Sequence, residues 1–184
     1  MRGAVLDAAA ALFQAQGYAG TSTQDIARTA GVTSGAMHHH FPTKKALGLA
    51  VIEERIAQAV RETWIDPLAA APDAVSGITS VMDSIRAALE ARGAVQGCPL
   101  NNLTLELSLA DPAFRAAASA VFSEWRDAIA ARFREDGKSR DADSFATLVV
   151  AAYSGAMAMA KAEQSTGPLS VCADHLRRIA SRES

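Results

Sequence analysis

The sequence predicts an all-α protein of about nine helices. Apolar residues recur at three- and four-residue spacing along the chain, and no segment alternates convincingly at period two. Glycine and proline fall where apolar stripes begin or end. Hydrophobic residues make up 49% of the 184 positions, enough for a buried helical core.

The first helix is expected from about Arg2 to Ala15, with Val5, Leu6, Ala9, Leu12 and Phe13 on one face. Ser22 followed by Asp25 is a variant of the capping box, and Ile26, Ala27 and Ala30 continue at helical spacing. Gly31 ends that helix, because a residue without Cβ takes the left-handed conformation of a sharp turn. Thr33 caps a very short third helix, Ser34 to about His40, closed by Phe41 and Pro42. Two short helices across a Gly-Val turn form a helix-turn-helix, whose second helix lies in the DNA major groove.

Helix four is expected to start at Thr43, to carry Leu49, Ile52, Ile56 and Val60, and to end before Pro67. The stretch from Asp66 to Asp73 reads as a connector. Val75, Ile78, Met82, Ile85 and Leu89 form the stripe of helix five, which stops near Gly93. Gly97-Cys98-Pro99 opens a short helix with Leu100, Leu103 and Leu107. Asp111 caps helix seven with Pro112 in first position, and Phe114, Ala118, Val121, Trp125, Ile129 and Phe133 follow on one face. The segment EDGKSRDAD reads as a solvated loop. Helix eight, about Ala142 to Gln164, is apolar and small on more than one face. The last helix, from near Pro168, carries Leu169, Cys172, Leu176 and Ile179.

Composition narrows the function. The net charge of −2 is not that of a generally basic nucleic-acid protein. Up to Ala50, however, four basic residues stand against two acidic ones, with three histidines besides. DNA affinity would then depend on a focused patch and on dimerisation. There is no secretory segment, and no apolar stretch is expected to be long enough to span a bilayer, so the protein is expected to be cytoplasmic without a membrane partner. Cys98 and Cys172 form neither a disulfide scaffold nor a zinc motif. Three consecutive histidines, His38-His39-His40, point about 100° apart on a helix and cannot converge on one ion. No metal or other cofactor is expected. An enzyme is disfavoured, since there is no Ser/His/Asp order, phosphate loop or paired carboxylates on an apolar background.

The run RGAVLDAAAALFQAQGYAGTSTQDIARTAGVTSGAMHHHFPTKKAL resembles the N-terminal domain of the TetR/AcrR family of bacterial transcriptional regulators. The resemblance spans about the first quarter of the chain. It rests on Leu12-Phe13, the Gly17-Tyr18 corner, the Thr/Ser cluster, Ile26-Ala27, Ala30-Gly31-Val32 and Phe41-x-x-Lys44, in order and at the right spacing. It implies a helix-turn-helix domain at 1–48, linked by helix four (about 43–64) to an effector-binding and dimerisation domain at 49–184. Carried over by position, Ser34, Gly35 and His39 match base-facing residues. Thr23, Thr33, His38, Thr43 and Lys44 match phosphate contacts, and Gln24 a position that reaches the groove. His38 departs from the tyrosine usual in the family, and operator affinity is then expected to rise as pH falls toward 6. Lys45 replaces a common acid and is expected to add to the positive patch. With no basic arm before helix one, specificity is expected to rest on the major groove.

The resemblance further implies a homodimer on double-stranded, near-palindromic operator DNA, joined through the two C-terminal helices. A repressor released by a small, largely hydrophobic effector is the expected function. Met82, Ile85, Asn101, Asn102, Leu103, Glu106, Phe122, Trp125, Tyr153 and Met157 are expected to line the effector site, and each apolar one also has a plain core explanation. Cys98, in a GCPLNNL helix start like that of one branch of the family, is a possible electrophile or redox sensor, against the alternative of a small buried hydrophobe. A thiol-responsive repressor acting through Cys98 and an all-α small-molecule-binding protein or enzyme are the alternative functions.

Overall fold

The computed structural model describes residues 1–137 and 141–182. Among them are nine helices and no strand. These are α1 (Arg2–Gly20), α2 (Thr23–Thr29), α3 (Ser34–His40), α4 (44–70), α5 (Ala74–Arg92), α6 (Pro99–Leu107), α7 (Pro112–Glu135), α8 (Ala142–Glu163) and α9 (Gly167–Arg182).

Two boundaries differ from expectation, for identifiable reasons. α1 does not stop at Ala15. It continues to Gly20 across a break at Gly17, whose φ of 78° and ψ of 163° are outside the helical range. α4 does not end before Pro67, and 66–70 are helical rather than a connector. Two π-helical stretches, Val51–Ile56 and Arg61–Ile65, interrupt its α-helical pattern. In the second, the Asp66 N–H donates to the Arg61 carbonyl, five residues back. Re-phasing there puts Pro67 in the first turn of a new helical segment, where its missing N–H is tolerated.

The chain forms two compact units. The first comprises Met1–Ala59 with Pro99–Val121, the second Val60–Cys98 with Phe122–Ser184. In the first, Leu6, Phe13, Ile26, Leu47, Ile52 and Leu100 are almost wholly buried. In the second, Leu68, Ile78, Met82, Trp125, Ile129 and Leu169 are. The apolar face read on helix seven is buried throughout, Phe114, Ala118, Val121, Trp125, Ile129 and Phe133 each being no more than 4% exposed.

Polar groups fix the ends of the helices. Asp73 accepts from Ser76 N at 2.9 Å at the start of α5, and Gly93, with φ of 67°, closes it. The bend at 71–73 is held by Arg132, which donates to the carbonyls of Ala71 (3.0 Å) and Pro72 (2.8 Å). Asp136 accepts from Ala74 N at 2.6 Å. Of the loop read over EDGKSRDAD, residues 138–140 lie outside the described residues.

One expectation is corrected. α8 is long and apolar enough to cross a membrane by length and composition alone. Its Ala146, Val149, Tyr153, Ala156, Met157 and Ala160 are buried within the second unit, which accounts for that composition by packing.

Candidate nucleic-acid interface

Three helices begin in the first unit on hydroxyl caps. Ser22 Oγ accepts from Asp25 N at 3.0 Å and donates to Asp25 Oδ2 at 2.6 Å, so the capping box forms as read. Thr33 Oγ1 accepts from Ala36 N at 3.2 Å, and Thr43 Oγ1 from Ala46 N at 3.0 Å. Each threonine retains its own hydroxyl proton for an outside acceptor. The helix starts add the positive end of the backbone dipole, which favours phosphate.

Between α2 and α3 the turn is made by backbone bonds. Gly31 N donates to Arg28 O at 3.2 Å and Val32 N to Ala27 O at 3.0 Å. Gly31 has φ of 67°, the conformation for which glycine was read there. In α3 only Met37 is buried, while Ser34, Gly35, His38, His39 and His40 are exposed. A Cβ on Gly35 would meet nothing within 4 Å, and its φ is not positive. No folding requirement for glycine is visible there. Glycine in a helix interior costs roughly 0.5–1 kcal/mol relative to alanine, which leaves close approach to a ligand as its use. Gln24 is exposed and Thr23 half-buried, on the first turn of α2.

The basic residues divide sharply. Arg2 pairs with Glu54, Arg28 with Asp25, and Lys45 with Asp111 at 2.5 Å. The hydrogen bonds from Ser22, aided by Arg28, hold the Asp25 carboxyl below the usual carboxylate range, and Lys45 does the same for Asp111. Lys44 instead rests over the Tyr18 ring, its Nζ 4.4 Å from the centroid. A ring leaves that charge un-neutralised. The positive patch therefore centres on Lys44 and the helix starts, and Lys45, counted toward it from the sequence, is held by a carboxylate.

The corner between α1 and α2 involves residues whose role sequence reasoning missed. Thr21, 1% exposed, donates to Gly17 O at 2.7 Å. Tyr18 packs against Phe13 (5.1 Å between centroids) and Phe114 (5.3 Å). Glu106 of α6 accepts from Tyr18 N at 2.8 Å and Ala19 N at 2.6 Å. The Gly-Tyr pair was visible in the sequence, but nothing local tied it to a carboxylate 88 positions away.

The residues expected to line an effector site do not share one unit. Asn101, Asn102, Leu103 and Glu106 belong to the first, where Asn102 donates to Gln14 Oε1 at 3.1 Å. Met82, Ile85, Phe122, Trp125, Tyr153 and Met157 belong to the second. There Trp64, Trp125 and Tyr153 form an aromatic cluster with centroids 4.8 to 5.5 Å apart. Burial, and then the neighbouring Cys98 thiol, push the Tyr153 phenol well above its ordinary pKa. The Trp125 indole N–H is buried without a hydrogen-bond partner among the described residues. A groove of about 540 Å³ runs along Thr63, Pro67, Ser76, Ser80, Ser84 and Ile85. Ile85 borders it, whereas Met82, Trp125, Tyr153 and Met157 are at most 5% exposed. Cys98 is 7% exposed. Cys172 is half-buried, its Sγ 3.7 Å from Ala152 O, and burial raises its pKa.

A helix-turn-helix with an exposed second helix, capped starts and an un-neutralised lysine defines a DNA-binding protein. The family of bacterial regulatory proteins of the tetR type matches residues 5–51. The family described as "Transcriptional regulator LmrA/YxaF-like, C-terminal domain" matches residues 74–175. The chain is 28% identical to the HTH-type transcriptional regulator LmrA of Bacillus subtilis, over 90% of this chain and 88% of that one. It is 25% identical to the HTH-type transcriptional repressor DhaR of a Mycobacterium species, over 86% and 81% of the two chains. The crystal structure of a TetR transcriptional regulator from Chloroflexus aurantiacus superposes with a TM-score of 0.80 and 33% identity, covering 95% of this chain and 91% of that one. The protein belongs to the TetR family of bacterial transcriptional regulators. It is a DNA-binding regulator of transcription, not an enzyme.

Proposed function

We propose that the protein is a cytoplasmic, homodimeric repressor that leaves a near-palindromic operator when a small, largely hydrophobic effector binds. Residues 1–48 are the DNA-reading domain and 49–184 the effector-binding and dimerisation domain. Ser34, Gly35 and His39 face bases. Thr23, Thr33, His38, Thr43 and Lys44 contact phosphate, and Gln24 reaches the groove. The observation that carries this reading is the exposed face of α3, with a glycine the fold does not require. The relative DhaR is itself named a repressor.

Dimerisation is supported by apolar side chains left in solvent on the two C-terminal helices. Leu148 and Met159 of α8 are 45% and 54% exposed, Val171 and Ile179 of α9 57% and 37%. A Cβ on Gly155 would meet nothing within 4 Å, so a second helix has room to approach there. A two-fold dimer would set two reading helices about 34 Å apart, and an effector that favoured another spacing would release DNA.

For the effector site, the unpartnered Trp125 N–H supports the second-unit part of the expected lining, with Met82, Ile85, Phe122, Tyr153 and Met157. A ligand acceptor would satisfy that donor. Asn101, Asn102, Leu103 and Glu106 belong to the first unit, and the Glu106 carboxylate is taken up by the Tyr18 and Ala19 N–H groups. The thiol-responsive alternative rests on Cys98 beside the Tyr153 phenol. A thiol only 7% exposed reacts slowly unless its surroundings open.

The test is a gel shift with the DNA flanking its own gene, using wild type and Lys44→Ala. A shift that the substitution weakens across sequences supports the reading. No shift at low salt with any flanking fragment refutes it.

A further inference from the structure

We propose that Glu106 is a positioning residue for operator binding: it locks the Gly17 corner so that the Tyr18 ring stands beneath the Lys44 ammonium. The inference rests on the reading of Lys44 as a phosphate contact.

The break at Gly17 turns the backbone out of the α1 spiral, so the next N–H groups lose the carbonyls a continuous helix would offer. Glu106 replaces those acceptors, one carboxylate oxygen to each of Tyr18 N (2.8 Å) and Ala19 N (2.6 Å). The break is tight, and its backbone conformation favours glycine. A Cβ on Gly17 would lie 3.2 Å from Glu106 Oε2, on a backbone with φ of 78°.

With the corner fixed, the Tyr18 ring is set by Phe13 and Phe114, and the helix bearing Lys44 lies against it. A Cβ on Gly48 would stand 2.8 Å from Tyr18 Cε2 and 2.9 Å from Phe114 Cζ. One turn before Gly48, the Lys44 ammonium lies over the ring face. Lys45, its neighbour, is bound to Asp111. The ring thus orders the first-turn ammonium while leaving its charge available, so a carboxylate fixed on the backbone governs a phosphate contact it does not make.

Operator binding by the full-length protein, followed by fluorescence anisotropy on DNA flanking its own gene across a salt series, tests this. Lys44→Ala is expected to weaken binding about tenfold and to flatten the log–log salt slope by about 0.9 per protomer, one phosphate contact. Glu106→Ala is expected to reproduce most of both changes. In the Lys44→Ala background it is expected to cost less than about twofold more, since coupled sites are not additive. Full additivity in the double variant, or an unchanged slope in Glu106→Ala with an unaltered melting curve, overturns the proposal. If Glu106→Ala does not fold, Tyr18→Leu takes its place, keeping the corner hydrogen bonds and removing the ring. Its expected result is the same loss of slope, and a wild-type slope overturns the proposal. Should Lys44→Ala itself leave affinity and slope unchanged, the phosphate-contact reading fails first and the inference with it.

Discussion

Adjacent lysines at the start of α4 are given different jobs by their neighbours. Lys45→Ala removes a charge already paired with Asp111, and is expected to change operator affinity by less than about twofold while Lys44→Ala weakens it, in parallel anisotropy titrations. Gly35→Ala separates folding from recognition. It is expected to raise stability by about 0.5–1 kcal/mol in chemical denaturation and to weaken operator binding. Improved or unchanged binding would show that the backbone there does not approach DNA.

At the scale of elements, α6 and the start of α7 complete the unit that carries the reading helix. Leu100, Leu103, Leu107 and Phe114 are buried in it, and Glu106 and Asp111 hold its corner and Lys45. A fragment ending at Ala59 would expose that surface and is expected to lack a cooperative thermal transition by circular dichroism. Gly48 is a tight point of this unit. Gly48→Ala places a methyl inside van der Waals distance of two aromatic rings and should cost about 1–3 kcal/mol in denaturant unfolding.

For the whole molecule, carboxylates paired with basic groups add an acid limb. Ion pairs or hydrogen bonds hold Asp25, Glu54, Asp111 and Glu124 below their ordinary values. A lowered folded-state pKa contributes stability that is present above the unfolded value and lost as pH falls through the folded one. Stability should therefore decline below about pH 4, measured as a falling urea midpoint. Met159→Glu, on the exposed apolar face of α8, is expected to shift sedimentation toward monomer and to abolish tight operator binding without lowering helicity. A dimer that survives it would place the interface elsewhere.

Much of the protein was decided locally, and so was readable. Helix periodicity, the Ser22, Thr33 and Asp111 caps, and the glycines at 31 and 93 depend on residues a few positions apart, and the structure has them as read. The π-helical re-phasing that carries α4 past Pro67 was hidden, because proline's local signal is to stop a helix. Hidden too were the partners of charges. Whether Lys45 is free, or Glu106 faces a ligand or a backbone corner, depends on what residues far along the chain, such as Asp111 for Lys45 and Tyr18 for Glu106, bring beside them. Periodicity and capping are short-range steric and hydrogen-bonding facts carried by the sequence itself. Charge pairing and the seating of Tyr18 arise only when distant helices pack, and those the tertiary structure alone decided.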